Sequence, residues 1–330
     1  MKTRIVHICP YFYPKIGGVE KYVYQLAREQ VRMGMDVTVI CRNEGTKDIT
    51  ETIDGIKVHR VGCRQTRGIR VVESMGEIVK KLKATDAEIF HAHDWTQSLA
   101  CVSAGKEFVT TVHGYGGTLE RVPFFPNFIR QIVGKSKRIA VNHKFLLDKY
   151  KKATYIHAGI SLQEYPFKKI TNKETILIVS RLSPERHVDI AIKGFMLLKD
   201  DKLNLLIAGD GPKKERLMAL CKGKKNIKFL GFRTDIPKLI SEAAMVYGGP
   251  LTVIEALAIG RPGIIVQEKD TELISSSQYL IDTPREFAIK VRYFLKHLDE
   301  ESKIARKIAE EEFDIKQVAV KYNKFYEGIK

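Results

Sequence analysis

Short, almost continuous apolar runs alternate along this chain with longer stretches in which apolar residues recur every three or four positions. The run RIVHIC at 4–9 stops at Pro10 and Pro14, so it reads as a buried parallel strand feeding a loop. Gly17-Gly18 then open a stretch in which Val19, Tyr22, Val23, Leu26, Ala27 and Val31 share one helical face, and Gly34 ends it. The alternation continues through strands DVTVIC (36–41) and GIKVHRV (55–61), helix VVESMGEIVKKLK (71–83), strand AEIFHAH (87–93), helix WTQSLACVSA (95–104) and strand EFVTTVHG (107–114). Repeated β-α-β of this kind predicts a doubly wound parallel sheet.

Around SLQEYPFKKITNK (161–173) the periodicity lapses into a polar, proline-containing stretch, which marks a domain boundary. A second alternation follows. Its strands are ETILIVS (174–180), NLLIAGD (204–210), IKFLG (227–231), AMVY (244–247) and PGIIV (262–266). Its helices are HVDIAIKGFMLLK (187–199), PKKERLMALC (212–221), DIPKLISEA (235–243) and LTVIEALA (251–258). The fold class expected is therefore α/β, with two Rossmann-like doubly wound domains, 1–165 and 166–313, facing a cleft. The charged tail is helical in pattern, and Phe313, Val318, Tyr322, Phe325 and Tyr326 give its end an apolar face. That helix, about 314–330, is expected to cross back to the first domain.

Composition narrows the function. Fifty-six Lys and Arg against 39 Asp and Glu leave a net charge of +17, which suits nucleic acid, anionic lipid or small phosphorylated ligands alike. No zinc-finger, RNP or basic low-complexity tract accompanies it, so nucleic acid is disfavoured. The five cysteines, Cys9, Cys41, Cys63, Cys101 and Cys221, are odd in number and far apart without a C-x-x-C pair, as in a reduced, cytoplasmic protein lacking structural metal. The apolar stretch of MKTRIVHICPYFYP is too short for a secretory signal or a membrane span. Lys, Glu and Ile enrichment with few glutamines suits a hot-adapted source.

Parallel sheets bind ligands beyond the carboxyl ends of their strands, and that rule selects the candidates. Gly17 and Gly18 suit close approach of a backbone to an anion at a helix N-terminus, or simply a tight turn. Neither a G-x-G-x-x-G fingerprint nor a G-x-x-x-x-G-K-[ST] loop occurs, which disfavours hydride transfer and P-loop ATP hydrolysis. His91 and His93 lie on one face of a strand end, followed by Asp94; no third metal ligand is evident from sequence. His113 closes its strand before the glycine-rich segment containing Tyr115, a position for hydrogen-bonding a polar substrate. A satisfied structural histidine is the alternative for each. Arg181 and Arg186 in SRLSPERH follow a strand directly, where two guanidiniums would bind a diphosphate and offset charge on a departing phosphate. Asp210-Gly211-Pro212 is a chain reversal at least as readily as a contact. Gly248-Gly249-Pro250 precede a helix on which Glu255 is a carboxylate among apolar neighbours, a group that needs a partner and could take two ribose hydroxyls. No D-x-D pair is present to chelate a metal–diphosphate.

Together these segments resemble the GT-B glycosyltransferases of family 4, the retaining, nucleotide-sugar-dependent class, over nearly the whole chain. The resemblance rests on Pro14, Gly17-Gly18 and Glu20, MGMDVTVIC, HAHDW, TVHG, HAGIS (157–161), SRLSPERHVD, IAGDGP with IKFLGF, and TVIEALAIGRPGI. It implies that the C-terminal domain holds a UDP- or GDP-sugar, with Arg181 and Arg186 at the family's paired Arg and Lys, and Glu255 as the second glutamate of the E-x7-E element on the ribose. Gly17 and Gly18 would meet the diphosphate from the opposite domain. His113 would contact the transferred sugar, with Arg181 and Arg186 completing the catalytic set, and His93, Asp94 and Tyr115 would line the acceptor pocket. It further implies front-face displacement, a glycan or lipid-linked acceptor, and no cofactor or metal.

Two departures stand out. Tyr247 occupies the position of the family's first glutamate, and QEKDTELI replaces the Gly-Gly turn expected after PGIIV. Either the amides of Gly248 and Gly249 replace the carboxylate, or activity is weakened or lost, as in a noncatalytic relative that binds nucleotide sugar or a partner glycosyltransferase. A sugar-nucleotide epimerase is a further alternative, disfavoured because paired acid/base carboxylates are not apparent. Arg64, Arg67 and Arg70, with Phe124, Phe125, Phe128 and Ile129 interleaved among Arg130, Lys135, Lys137 and Arg138, suit peripheral docking on an anionic membrane's inner face, or an ordinary half-buried helix.

Overall fold

The structure, a computed structural model, describes residues 2–15, 17–62, 70–114, 125–266 and 280–329, with backbone alone for 70–73. Two compact units emerge, one formed by Met1–Gly159 with Ile315–Lys330 and the other by Ile160–Asp314.

The first unit contains β1 (Arg4–Ile8), α1 (Gly18–Arg32), β2 (Asp36–Arg42), β3 (Ile49–Ile53), β4 (Ile56–Val61), α2 (Arg70–Lys83), β5 (Ile89–His93), α3 (Trp95–Ala104), β6 (Val109–Val112), α4 (Phe125–Val133), β7 (Arg138–Val141) and β8 (Thr154–Tyr155). Among the described residues these strands form a sheet of order β3-β4-β2-β1-β5-β6-β7-β8. All pairs run parallel except the β3–β4 hairpin, which the sequence reading missed. The reason is local: ITETI is short and largely exposed, so it lacks the continuous apolar signature of the buried strands.

The second unit contains β9 (Thr175–Val179), α5 (Val188–Met196), β10 (Asn204–Ala208), α6 (Lys214–Leu220), β11 (Ile227–Gly231), α7 (Ile236–Glu242), β12 (Met245–Gly248), α8 (Pro250–Ile259), β13 (Gly263–Val266), β14 (Leu280–Ile281), α9 (Pro284–Lys296) and α10 (Leu298–Glu312). Its strands pair in parallel in the order β11-β10-β9-β12-β13-β14. Residues 160–165, assigned from sequence to the first domain, lie in this unit. Ile160 N donates to Phe313 O at 2.8 Å, and Tyr165 is buried in this unit's core. Arg261, also fully buried here, donates to the carbonyls of Lys168 and Ser241, at 2.5 and 2.7 Å. Its place in GRPGI is thus structural.

The last helix, α11 (Ile315–Tyr326), belongs to the first unit, as its apolar face implied. Val318, Tyr322, Phe325 and Tyr326 are buried with Tyr22, Val23 and Leu26 of α1. Each such side chain contributes about 1.5–3 kcal/mol when removed from water, which makes α11 integral to that unit. In α4, Ile129, Ile132 and Val133 face the core, whereas Phe128 and Arg130 are exposed. Phe124, Arg64, Arg67 and the segment QEKDTELI lie outside the described residues.

Candidate functional site

In the second unit, the turn after β9 carries both arginines. Arg181 and Arg186 are exposed, and Pro184–Arg186 form a single 3-10 turn that positions the latter. The neighbouring loop 209–211 lies so close that a Cβ at Gly211 would come within 2.5 Å of Leu182 O. Gly209 and Gly211 both have positive φ (144° and 157°), so glycine serves both conformation and close approach here. Leu182 N and Lys213 N hydrogen-bond across the junction, to Asp210 O and Leu182 O. IAGDGP therefore buttresses the Arg181 turn, with Asp210 occupied by Lys214 at 2.8 Å and Gly211 N at 2.8 Å.

Arg186 lies over Gly249, the N-cap of α8: a Cβ there would meet Arg186 Nη1 at 3.0 Å. Side-chain capping is absent at this end of α8, leaving its first-turn amides available to an anion beside a guanidinium. Glu255, one turn and a half further along, is buried and accepts a hydrogen bond from Tyr165 OH at 2.8 Å. The sequence reading missed Tyr165, 90 positions away, as a partner of this carboxylate.

In the first unit the expected residues gather at the carboxyl edge of β5 and β6. Asp94, at a positive φ of 72°, accepts from His113 N at 2.8 Å, while Asp94 N donates to Thr111 O. His93 is fully buried, between His113 (2.8 Å) and His7 (3.0 Å). The chain continues from His7 to Gln30 Oε1 at 2.6 Å, and from His113 Nδ1 to Asn142 Nδ2 at 2.7 Å. A second branch runs from Gln30 to Tyr326, His91, Thr111 and Tyr322. Burial lowers the pKa of His7 to about 4 and of His113 to about 3, with the charge of His143 adding to the latter. It drives His91 and His93 well below the usual value. All four imidazoles are neutral at physiological pH.

His7 is the third imidazole that sequence did not reveal: ligand atoms of His7, His91 and His93 lie within 4.8 Å of one another. Both ring nitrogens of each are already engaged in hydrogen bonds, so a metal ion would have to break several of them. The cluster fits a hydrogen-bond network better than a metal centre. Gly17 caps α1 and Gly18 begins it, but the Glu20 carboxylate lies against Gly17, where an anion was expected. Beside β6, a recess lined by Asp94, Trp95, Val112, Gly114, Ile129 and Arg130 encloses about 50 Å³. That is room for a hydroxyl or a water, well short of the roughly 300 Å³ of a typical ligand pocket. Tyr115 lies outside the described residues.

Comparison with known proteins agrees with this geometry. The sequence model of Glycosyltransferase Family 4 matches residues 16–163, and that of Glycosyl transferases group 1 matches residues 173–297. The chain belongs to the family 4 glycosyltransferases of the GT-B fold. Sucrose-phosphate synthase from Thermosynechococcus elongatus superposes with a TM-score of 0.82 at 15% identity, covering 98% of both chains. Anabaena Alr3699/HepE, solved with UDP and glucose, does so with 0.78 at 14% identity, covering 98% of this chain and 99% of that one. A phosphatidylinositol N-acetylglucosaminyltransferase component from Arabidopsis thaliana is 23% identical over 247 residues, 66% of this chain and 54% of the relative. The chain thus spans about half the length of the curated relatives it matches.

Within this family 4 glycosyltransferase the altered E-x7-E element has a structural explanation. Only Gly249 separates β12 from α8, so a spacing of eight residues before Glu255 falls inside the strand. Tyr247 is consequently buried, and its hydroxyl lies 3.0 Å from Arg186 O and 3.1 Å from His187 O. His187 itself has φ 45°, so the tyrosine ties down a strained turn at the arginine. The side chain at this position braces the Arg186 turn. Tyr247→Phe is expected to destabilise the protein by about 1–2 kcal/mol through two under-satisfied carbonyls. A urea titration checks this; an unchanged midpoint would show that the hydroxyl braces nothing.

Proposed function

We propose that this family 4 glycosyltransferase moves a sugar from a UDP- or GDP-linked donor to a glycan or lipid-linked acceptor, with retention of configuration and without a metal ion. The observation that carries the reading is the placement of Arg186 over the open N-terminus of α8, in the same short turn as Arg181. Two guanidiniums and a helix N-terminus supply positive charge where a diphosphate leaving group develops negative charge, the task a divalent cation performs elsewhere.

Glu255, oriented by Tyr165, would accept from ribose hydroxyls. The amides of Gly248 and Gly249 would take over donor contacts that a carboxylate at 247 makes in other members. Asp94, His113 and Tyr115 would form the acceptor side, His113 contacting the transferred sugar through the carbon edge of its ring, with the buried His93 holding it from behind. Front-face departure requires no carboxylate nucleophile, consistent with the uncharged histidines on the acceptor side.

The curated relatives' name favours a phospholipid acceptor, and exposed Phe128, Arg130, Lys135 and Lys137 suit an anionic surface. No helix among the described residues is long and apolar enough to cross a membrane. Binding to anionic vesicles at low salt, lost at high salt, is the expected result of co-sedimentation; equal recovery in the supernatant with and without vesicles counts against docking.

Incubating the protein with UDP-glucose, UDP-N-acetylglucosamine and GDP-mannose, each with EDTA, tests the main reading. Nucleotide diphosphate release with an α-configured product is expected. Tight nucleotide binding with no release would favour the noncatalytic alternative that Tyr247 motivates, and release only with added Mg²⁺ would overturn metal independence.

A further inference from the structure

The three-histidine chain has a single polarity. An amide NH2 can only donate, so His113 Nδ1 accepts from Asn142 Nδ2, and the imidazole's proton resides on Nε2. That proton points at His93 Nδ1, which leaves His93 protonated on Nε2 toward His7 Nδ1, and His7 protonated on Nε2 toward Gln30 Oε1. Gln30 Oε1 can only accept. Two amides at opposite ends of the chain therefore demand the same direction, and Gln30 Nε2 carries it onward to Tyr326 OH.

One polar atom of this chain is left over. Asn142 is buried, at 4% exposure, yet its Oδ1 has no hydrogen-bond partner among the described residues. A buried carbonyl oxygen without a donor costs about 1–3 kcal/mol, so such an atom at the carboxyl edge of a parallel strand points to a ligand. Asn142 follows β7 directly, donates its own N–H to Val112 O (3.2 Å) and its Nδ2 to His113, and so stands behind Val112, which in turn lines the recess beside β6.

We propose that Asn142 is a substrate-binding residue whose Oδ1 accepts a hydrogen bond from a hydroxyl of the acceptor, while its Nδ2 holds His113 as the Nε2-protonated imidazole. This deepens the acceptor reading given above and rests on it. An acceptor-only oxygen selects a neutral hydroxyl, as on a sugar or inositol ring, and rejects phosphate or carboxylate at that point. Neither ring nitrogen of His113 is then free in this arrangement, which makes Asn142 the side chain that meets the hydroxyl.

Two measurements on the full chain test the proposal. Long-range ¹H–¹⁵N spectra of histidine-labelled protein at pH 7 are expected to show His7, His93 and His113 neutral and protonated on Nε2. An Nδ1-protonated or charged His113 overturns the polarity. Binding of myo-inositol and methyl α-D-glucopyranoside, followed through Trp95 fluorescence in wild type and variants and through the Asn142 side-chain amide in wild type, is expected to weaken about tenfold or more in Asn142→Ala, with UDP affinity unchanged. Asn142→Asp keeps the accepting oxygen but not the NH2; it is expected to retain probe binding within a few-fold while moving a proton onto His113 Nδ1. That variant decides the matter should the alanine variant fail to fold. Probes that bind Asn142→Ala as tightly as wild type, or that leave the Asn142 resonances of wild type unmoved, assign Oδ1 to a water and overturn the proposal. Wild-type probe binding without sugar transfer would sink the enzymatic reading and leave this site standing.

Discussion

Arg186→Ala lowers kcat/KM for sugar transfer by about 10²–10³-fold, the size expected when a fixed donor to developing negative charge is removed. The side chain is exposed, and its turn is held by main-chain bonds to Tyr247 that the substitution leaves intact. Stability should therefore stay within about 0.5 kcal/mol, separating a catalytic loss from a folding loss. Arg181→Ala is expected to behave alike, because the adjoining loop 209–211 supports its backbone independently of the guanidinium. Arg186→Lys keeps the charge without the planar fork and should recover part of the rate. Steady-state kinetics with a donor active on the wild type decide it: turnover within threefold of wild type in Arg186→Ala removes this residue from leaving-group stabilisation.

Acidification from pH 7 to 4.5 costs the protein several kcal/mol of stability before most carboxylates titrate. Burial lowers the folded-state pKa of His7 to about 4 and of His113 to about 3, and depresses those of His91 and His93 too. The unfolded chain takes up these protons near pH 6.5, so between that value and the folded values it binds more protons than the native state. The stabilisation is complete above about pH 6.5 and drains away as pH falls. For His7 alone the difference corresponds to roughly 3 kcal/mol. The four rings belong to one hydrogen-bonded network, so their contributions do not simply add. Urea unfolding at pH 7.5, 6.0 and 4.5 measures the effect, and a flat midpoint over that range would falsify the buried neutral network.

Much of the proposed acceptor side was legible because strand ends are local features. His93, Asp94 and His113 stand at or just beyond the close of an apolar run, and they do lie side by side. His7, Gln30 and Asn142 were not found, since their importance comes from partners 86, 23 and 29 positions away. The sheet's outer strands escaped for a different reason: Ile49–Ile53 and Arg138–Val141 are short, and their exposed positions blur the apolar signal. On the proposed donor side both arginines were recognisable from the strand-to-helix loop, whereas the Tyr165–Glu255 contact was not.

Period and punctuation sufficed for two parallel α/β units and for a final helix packed into the first of them, since apolar spacing is a property of neighbouring residues that survives without knowledge of the fold. The surroundings of individual polar side chains were decided only by tertiary packing. Tyr247 is a brace for Arg186 because the connection to α8 is a single residue. Asn142 is a candidate substrate-binding residue because a relay of three imidazoles from three separate strands or strand ends stops on its NH2 and leaves its oxygen over. Burial makes each polar atom's missing partner costly, and which atoms lack one depends on segments that sequence distance keeps apart.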